Sequence, residues 1–261
     1  MKCAVLLSVY NAAPTLDRTL ASLHSQTFQD FRIVAINDAS TDTSHDLLMN
    51  WQERIGSDRF TIIENEYNLG LTRSLNKGLS IIHEAYTARI DSDDWWHPEK
   101  LKKQVAYLEE SQSCGVIGCF YENFTQKRSK VVIVPVTDAE IKSAIFKRNP
   151  FAHSAVVFQT ELVKNAGSYS ENLRYGQDYE LWLRLMPETV FHNLPEILCF
   201  RSAENTLTAR KQRAQMFQSV KTLWQYLRQY HRPLNDYGSL LEPILVALAP
   251  DWLRSLKRRL L

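Results

Sequence analysis

The stretch YTARIDSDDWWHPEKL, residues 86–101, joins a short apolar run to three carboxylates within four residues, Asp91, Asp93 and Asp94. The apolar run is typical of a buried strand, and Pro98 favours the first turn of a following helix. Carboxylates this close repel one another, which raises their pKa values unless a positive group lies between them. The stretch therefore predicts a strand, an acidic turn that needs a cationic partner, and a helix.

The same order of strand and helix recurs on the N-terminal side of this stretch. Three continuous apolar runs predict strands buried on both faces: CAVLLSV (3–9), FRIVAIN (31–37) and RFTIIEN (59–65). The segment that follows each run has apolar residues at helical spacing, as in residues 71–85. We therefore expect an α/β fold with a mostly parallel sheet and helices on both faces.

Polar residues follow each of the four predicted strands. These clusters are SVYN (8–11), NDASTD (37–42), ENEYNLG (64–70) and DSDD (91–94). In open α/β sheets, ligands bind beyond the carboxyl ends of the strands. The four clusters therefore predict one site along a single rim of the sheet.

Composition and charge limit the possible partners. Of the 261 residues, 44% are hydrophobic and 23% are charged, with a net charge of +2. This is an ordinary globular composition, and it gives no reason to expect nucleic acid as a partner. Four cysteines in apolar surroundings predict reduced, buried thiols of a cytoplasmic protein. No apolar run reaches the roughly 18 residues of a membrane span.

The second half of the sequence is less regular. Residues 115–124 and 130–136 predict paired strands, and residues 154–159 predict another. Helices are expected over residues 138–148, 175–186 and 208–230, and residues 239–261 resemble a helical appendage broken by prolines. We divide the chain into a domain over 1–205, with halves of about 1–112 and 113–205, and a C-terminal helical extension over 206–261.

Several interpretations of DSDD can be tested against neighbouring residues. A calcium loop starting at Asp91 would need Gly and Glu where Trp96 and Lys102 stand, and neither a dinucleotide fingerprint nor a P-loop occurs. Capping the next helix requires one carboxylate, for which Asp94 is suitable. Asp91 and Asp93 lie two apart on an extended segment and point to the same side. They predict a binding site for a hard divalent cation, which in turn would bind phosphate oxygens.

Four motifs in order resemble glycosyltransferase family 2, the inverting enzymes of the Rossmann-like GT-A fold. They are residues 8–44, NLGLTRSLNKGL (68–79), RIDSDDWWHPEKL (89–101) and GQDYELWLRL (176–185), and the resemblance covers about residues 1–200. It implies a nucleotide-sugar donor, usually a UDP-sugar, and a Mg²⁺ or Mn²⁺ cofactor. It also implies a glycan or lipid-linked acceptor in surface polysaccharide or lipopolysaccharide assembly.

The resemblance also implies roles for individual residues. For the nucleotide, they are Asp38 at the uracil ring, Ser8, Tyr10 and Asn11 along the nucleoside pocket, and Arg73 near base or phosphate. Asp91 would face the ribose or the metal, Asp93 would be the main metal ligand, and Asp178 would be the catalytic base. Two positions depart from the usual pattern: Asn37 stands where Asp is frequent, and Gln177 where Glu is frequent. We expect the second change to let Asp178 ionise more easily.

For several residues the sequence leaves two interpretations open. Trp95 and Trp96 either stack on sugar rings or pack the start of a helix, and His153 faces substrate or is structural. The basic run Arg210, Lys211 and Arg213 is a solvated face or folds over donor phosphates. As a helix, residues 251–261 separate an apolar from a basic face. This pattern favours peripheral contact with an anionic membrane at the inner face of the plasma membrane, with docking on the chain itself or on a dimer partner as the alternative.

Two other functions remain open from the sequence. A sugar-phosphate nucleotidyltransferase of similar fold would need a glycine-rich, basic loop after the first strand, and SVYNAAPTLDR (8–18) lacks the glycines. A catalytically inactive nucleotide- or sugar-binding module would be favoured by loss of the metal and base positions, and both are present.

Overall fold

The computed structural model describes residues 1–125, 128–203, 209–241 and 244–245, without the side chains of residues 209–212 and 235. The predicted tail helix over residues 251–261, and side-chain roles for Arg210 and Lys211, therefore lie outside the described residues. No helix in the described ranges is long and apolar enough to cross a bilayer.

Strands and helices alternate through the first half of the chain, as the apolar runs predict. These elements are β1 (Cys3–Val9), α1 (Ala13–His24), β2 (Phe31–Asn37), α2 (Ser44–Ile55), β3 (Phe60–Glu64), α3 (Leu71–Ser80) and β4 (Tyr86–Asp91). The next are β5 (Trp95–Trp96), α4 (Lys100–Glu110), β6 (Cys114–Phe124), β7 (Ser129–Val132) and α5 (Asp138–Ala144). The last are β8 (Val157–Gln159), α6 (Thr160–Asn165), α7 (Gln177–Leu185), β9 (Val190–Ser202) and α8 (Ala209–Gln229).

The described strands form one sheet in the order β3-β2-β1-β4-β8-β6-β9-β5, with β7 paired to β6. The pairs among β1 to β4 are parallel, as predicted. The second half is mixed, because β8 is antiparallel to both β4 and β6, whereas β9 is parallel to β6. The two predicted halves of the domain, about 1–112 and 113–205, therefore contribute strands to one sheet.

Each face of the sheet carries its own apolar cluster. Side chains alternate along β1, so that Val5 and Leu7 join the cluster under α1, α2 and α4, whereas Ala4 and Leu6 join the cluster under α3, α5, α7 and α8. A strand covered on both faces must be apolar at every position, which is why β1 and β2 read as continuous apolar runs. The α/β fold with helices on both faces is confirmed, and the four cysteines are buried and unpaired as predicted.

Strand β9 was not predicted from the sequence. Its 13 residues, VFHNLPEILCFRS, mix polar and apolar letters without a clean period and contain Pro195. The register with β6 shifts so that Leu194 pairs with Cys119 and Ile197 pairs with Phe120, which leaves Pro195 and Glu196 in a bulge. Proline cannot donate to a ladder and is tolerated at such bulges, so a long strand persists where the sequence suggests a break.

Candidate active site

The rim predicted from the polar clusters is present at the carboxyl ends of β1, β2 and β4. Ser8 is in register with Asp91 on β4 and with Ile36 on β2, and Asn37 pairs with Glu64 on β3. Parallel strands end at the same edge of a sheet, so the predicted residues Ser8 and Asp91 are neighbours although they are far apart in sequence.

Asp91 has a cationic partner within the chain. The Arg89 guanidinium, fully buried on β4, forms a salt bridge with Asp91 Oδ1, and the Ser154 hydroxyl donates to Asp91 Oδ2 at 3.0 Å. Burial opposes ionisation of Asp91, but the charge and hydrogen bond of Arg89, together with the charges of His153 and Arg201, outweigh it and hold the pKa of Asp91 well below its usual range. Asp91 is therefore a fixed anion whose two oxygens are already engaged.

Asp94 is held differently. It is buried, its Oδ1 accepts the backbone N–H of Ser202 at 2.8 Å, and its Oδ2 lies 3.7 Å from Arg201 Nε. Burial, with the charges of Asp91 and Asp93 added, raises the pKa of Asp94 to about 7 despite the opposing charge of Arg201. The helix after the acidic turn begins at a cap, Glu99, that has no side-chain cap hydrogen bond, so the expectation that Asp94 caps it is wrong.

Asp93 lies between these two carboxylates and is partly exposed. Its backbone carbonyl accepts from the Arg18 guanidinium at 2.9 Å, which ties the turn to α1. No group of three or more His, Cys, Asp or Glu among the described residues is placed to hold a metal ion. The cationic partner expected from the sequence is thus supplied in part by Arg89 and Arg201. Asp91 and Asp93 supply carboxylate oxygens, which are the kind of donor that suits a hard divalent cation that also takes water and phosphate oxygens.

Asp38 is 2% exposed and follows β2. Its Oδ1 accepts from Asn65 Nδ2 at 2.7 Å and from Leu69 N at 2.8 Å, and its Oδ2 accepts from Gly70 N at 2.9 Å. Gly70 has φ +84°, a conformation that glycine adopts without strain, and α3 begins directly after it. Asp38 therefore holds the loop that leads from β3 into α3.

The other predicted nucleotide-binding residues lie on loops and helix ends of the same rim. Tyr10 is half-exposed after β1, whereas Asn11 has φ +49° and its Oδ1 accepts from the backbone N–H of Thr41 at 2.8 Å. Arg73, on the first turn of α3, forms an exposed ion pair with Glu171 at 3.4 Å. Asn11 thus fixes the β1–α1 loop against the loop that follows Asp38.

Asp178 is the second residue of α7, whose cap Gly176 has φ +68°. Its Oδ2 accepts from Asn149 Nδ2 at 2.8 Å. Burial raises the pKa of Asp178, the hydrogen bonds from the Tyr179 N–H and from Asn149 oppose this, and the charge of Asp91 adds to the rise. Asp178 and Asp91 are thus close enough for one charge to affect the other.

The direction of this shift has a clear physical cause. Burial of Asp178 raises its pKa by more than the hydrogen bonds to its carboxylate lower it. The expectation that Gln177, in place of an acidic neighbour, lets Asp178 ionise more easily than a second carboxylate would allow stays a prediction. A carboxylate with a raised pKa is a stronger proton acceptor, provided that it is still ionised at the working pH.

The residues with two interpretations are resolved mainly in favour of packing. Trp96 is 2% exposed and donates from Nε1 to Ser154 O at 2.7 Å, and His153 is buried with its Nε2 2.9 Å from the Tyr169 hydroxyl. Trp95 is partly exposed, with the Arg18 guanidinium 3.7 Å from the centre of its ring. Trp96 and His153 are therefore buried packing residues of the site.

Four residues of the site were missed from the sequence: Arg89, Ser154, Arg201 and Asn149. Arg89 carried a usable signal, since a charged letter in the apolar run YTARI, two positions before Asp91, points to the same side of a strand. The others carried none, because only the hydrogen bonds of β4 with the segment before β8, the unpredicted β9 and the packing of α7 bring them to the site.

The fold is that of GT-A proteins. The structure superimposes on S. aureus TarS 1-349 in complex with UDP with a TM-score of 0.69 and 17% identity, over 96% of this chain and 76% of that one. It also superimposes on a mannosyltransferase from Pyrobaculum calidifontis in complex with GDP-Man and Mn²⁺, with a TM-score of 0.66 and 17% identity, over 96% and 71% of the two chains.

Residues 4–158 match the family model "Glycosyl transferase family 2", and this chain belongs to that family. It is 34% identical to the amylovoran biosynthesis glycosyltransferase AmsE of Erwinia amylovora over 202 residues, 75% of this chain and 74% of that protein. It is 28% identical to WfaP of Escherichia coli, a UDP-Glc:alpha-D-GlcNAc-diphosphoundecaprenol beta-1,3-glucosyltransferase, over 72% of this chain and 71% of that protein.

We expect the hydrogen bond from Asn149 to limit the rise in the pKa of Asp178. Carboxyl ¹³C titration by NMR should give Asp178 a pKa above the roughly 4 of an ordinary Asp. Asn149→Ala removes a donor that stabilises the charged form, so the pKa should rise further. Asn76→Ala, which removes amide hydrogen bonds to Tyr169 and Glu171 instead, is the matched control. Equal pKa values for Asp178 in wild type and Asn149→Ala would refute this account of its environment.

Proposed function

We propose that this protein is an inverting glycosyltransferase that transfers a sugar from a UDP-sugar to a glycan or lipid-linked acceptor at the cytoplasmic side of the membrane. The product would belong to a surface polysaccharide or lipopolysaccharide. The observation that carries this proposal is the difference between two carboxylates, Asp91 and Asp178, that are close enough for the charge of the first to affect the second. Asp91 has a lowered pKa and engaged oxygens, whereas Asp178 has a raised pKa and stands apart from the acidic turn.

Transfer with inversion requires the acceptor hydroxyl to attack the anomeric carbon from the face opposite the departing nucleoside diphosphate. That hydroxyl is a weak nucleophile until a positioned base takes its proton. Asp178 suits this role because its raised pKa makes it a better acceptor, and the Asn149 amide orients its Oδ2. Its other oxygen, Oδ1, would receive the proton.

The donor would lie along the ends of β1, β2 and β4. Ser8, Tyr10 and Asn11 would line the nucleoside pocket, with Arg73 at the outer edge near base or phosphate. Asp38 would accept a hydrogen bond from an N–H of the uracil ring. The carboxylate oxygen that does so would also keep its present bond from Asn65, Leu69 or Gly70. WfaP, whose name gives UDP-Glc as the donor, supports a uridine nucleotide.

A divalent cation, Mg²⁺ or Mn²⁺, would be held by Asp93 with Asp91 beside it. When bound, it would neutralise charge on the departing diphosphate. The P. calidifontis mannosyltransferase of the same fold, in complex with GDP-Man and Mn²⁺, supports this cofactor. Arg89 would keep Asp91 ionised and in place. Asp93, which is partly exposed, would be the main ligand of the cation.

The test of the function is sugar transfer by Asp178→Asn. The amide keeps the shape of the side chain but cannot take the proton, so transfer from the UDP-sugar should fall by about 10²–10⁴. UDP affinity and melting temperature should stay close to wild type. Glu53→Gln removes an exposed carboxylate near the C-terminal end of α2 and should transfer sugar normally. Transfer by Asp178→Asn at the wild-type rate would show that the base lies elsewhere.

The metal assignment predicts a second result. Calorimetric titration of wild type should show that Mn²⁺ strengthens UDP binding, and Asp93→Asn should lose that gain while retaining the metal-free affinity. The reason is that the amide oxygen lacks the charge that a hard cation prefers. Glu99→Gln, also after β4 but beyond the turn, serves as the control. A gain from Mn²⁺ in Asp93→Asn as large as in wild type would contradict the role of Asp93.

A further inference from the structure

Helix α8 has a basic and aromatic outer face. Five residues spaced by four, four, three and four positions are exposed: Arg213, Phe217, Lys221, Trp224 and Arg228. At about 100° per residue these side chains lie within one narrow arc of the helix. Phe217 is 50% exposed and Trp224 is 48% exposed, which is unusual for rings of this size. We call these five residues the α8 stripe.

All charged residues of α8 are basic. Its sequence, ARKQRAQMFQSVKTLWQYLRQ, contains five Lys or Arg and no Asp or Glu. The helix therefore carries more positive charge than the net +2 of the whole chain. Interleaved cations and aromatic rings on an exposed helix face are typical of helices that lie in the interface of an anionic bilayer, with rings among the lipid headgroups and cations at the phosphates.

The inner face of α8 packs beside the proposed catalytic base. The Tyr226 hydroxyl donates to Glu180 Oε1 at 2.6 Å, and the Tyr230 hydroxyl donates to Leu183 O at 2.9 Å, so α8 lies along α7. At the other end, Ser219 Oγ lies just under 4 Å from where a side chain on Gly176 would begin, two residues before Asp178. The stripe and Asp178 are thus connected through one pair of packed helices.

We propose that the α8 stripe docks the protein on an anionic phospholipid bilayer, so that Asp178 works close to the membrane surface. The acceptor class that fits this geometry is a glycan carried on a lipid, whose reacting hydroxyl lies just above the headgroups. The link to the acceptor rests on the proposed function, whereas membrane docking does not. WfaP, with a diphosphoundecaprenol-linked acceptor in its name, supports this class of acceptor.

Charge disfavours two other occupants of the stripe. A two-fold dimer through α8 would place two copies of the same basic face together, and like charges across an interface are unfavourable. The C-terminal segment DWLRSLKRRLL is itself basic, with four Lys or Arg and one Asp, so it would be repelled from the stripe. An anionic surface complements both segments.

The test is sedimentation of the full-length protein with vesicles. We expect binding to vesicles that contain phosphatidylglycerol, little binding to pure phosphatidylcholine, and weaker binding at high salt. Lys221→Gln/Arg228→Gln should lower the partition coefficient by about 30-fold, on the basis of the contribution that each cation near an anionic surface makes. Phe217→Ser should weaken binding while leaving its salt dependence in place.

The matched control is Arg54→Gln/Lys102→Gln, which removes the same charge from exposed positions on α2 and α4, across the sheet from α8. This control should bind vesicles like wild type. Equal losses in the control and the stripe variant would overturn the proposal, since only net charge would then matter. Full binding by the stripe variant, together with loss of binding when residues 251–261 are deleted, would also overturn the proposal. A dimer in solution that the stripe variant abolishes would overturn it as well.

Failure of docking and failure of the proposed function are distinguishable. Vesicle binding through the stripe, without sugar transfer to any acceptor, would refute the function and leave the membrane surface standing. Sugar transfer to a soluble acceptor by a protein that does not sediment with anionic vesicles would refute the membrane surface and leave the function standing.

Discussion

The salt bridge between Arg89 and Asp91 is the interaction on which the rim depends. A fully buried guanidinium is costly unless an anion compensates it, and Asp91 lies two residues further along the same strand, on the same side. In return, Arg89 keeps Asp91 charged at the end of β4, next to Ser8. The pair therefore fixes one negative charge where the strands of the parallel half end.

That fixed charge affects the other carboxylates of the site. The charge of Asp91 raises the pKa of Asp94 and of Asp178, in each case in addition to the larger effect of burial. Arg201 opposes the rise at Asp94, and Asn149 opposes it at Asp178. One ion pair thus helps to give three nearby carboxylates three different tendencies to ionise, and sites that combine binding and proton transfer need such differences.

The parallel half of the fold could be predicted from the sequence, because strands buried on both faces have continuous apolar runs and end in polar clusters. The same logic placed Asp38, Asp91 and Asp93 on one rim. What could not be predicted depends on long-range contacts. Strand β9 is hidden by Pro195 in its bulge, and it supplies Arg201. The direction of the Asp178 shift depends on burial by the second half of the chain, which local residues do not reveal.

The central claim, that Arg89 and Asp91 depend on each other, is tested most directly by a double-mutant cycle in urea unfolding at pH 7. Breaking a buried pair from either side costs up to about 3–5 kcal/mol, less here because Asp91 is about one-third exposed. Arg89→Met and Asp91→Asn should each lower the free energy of unfolding. The double variant should be more stable than the sum of the two losses predicts, by about 1–3 kcal/mol. Additive losses would contradict the account, because they would mean that the two residues stabilise the protein independently.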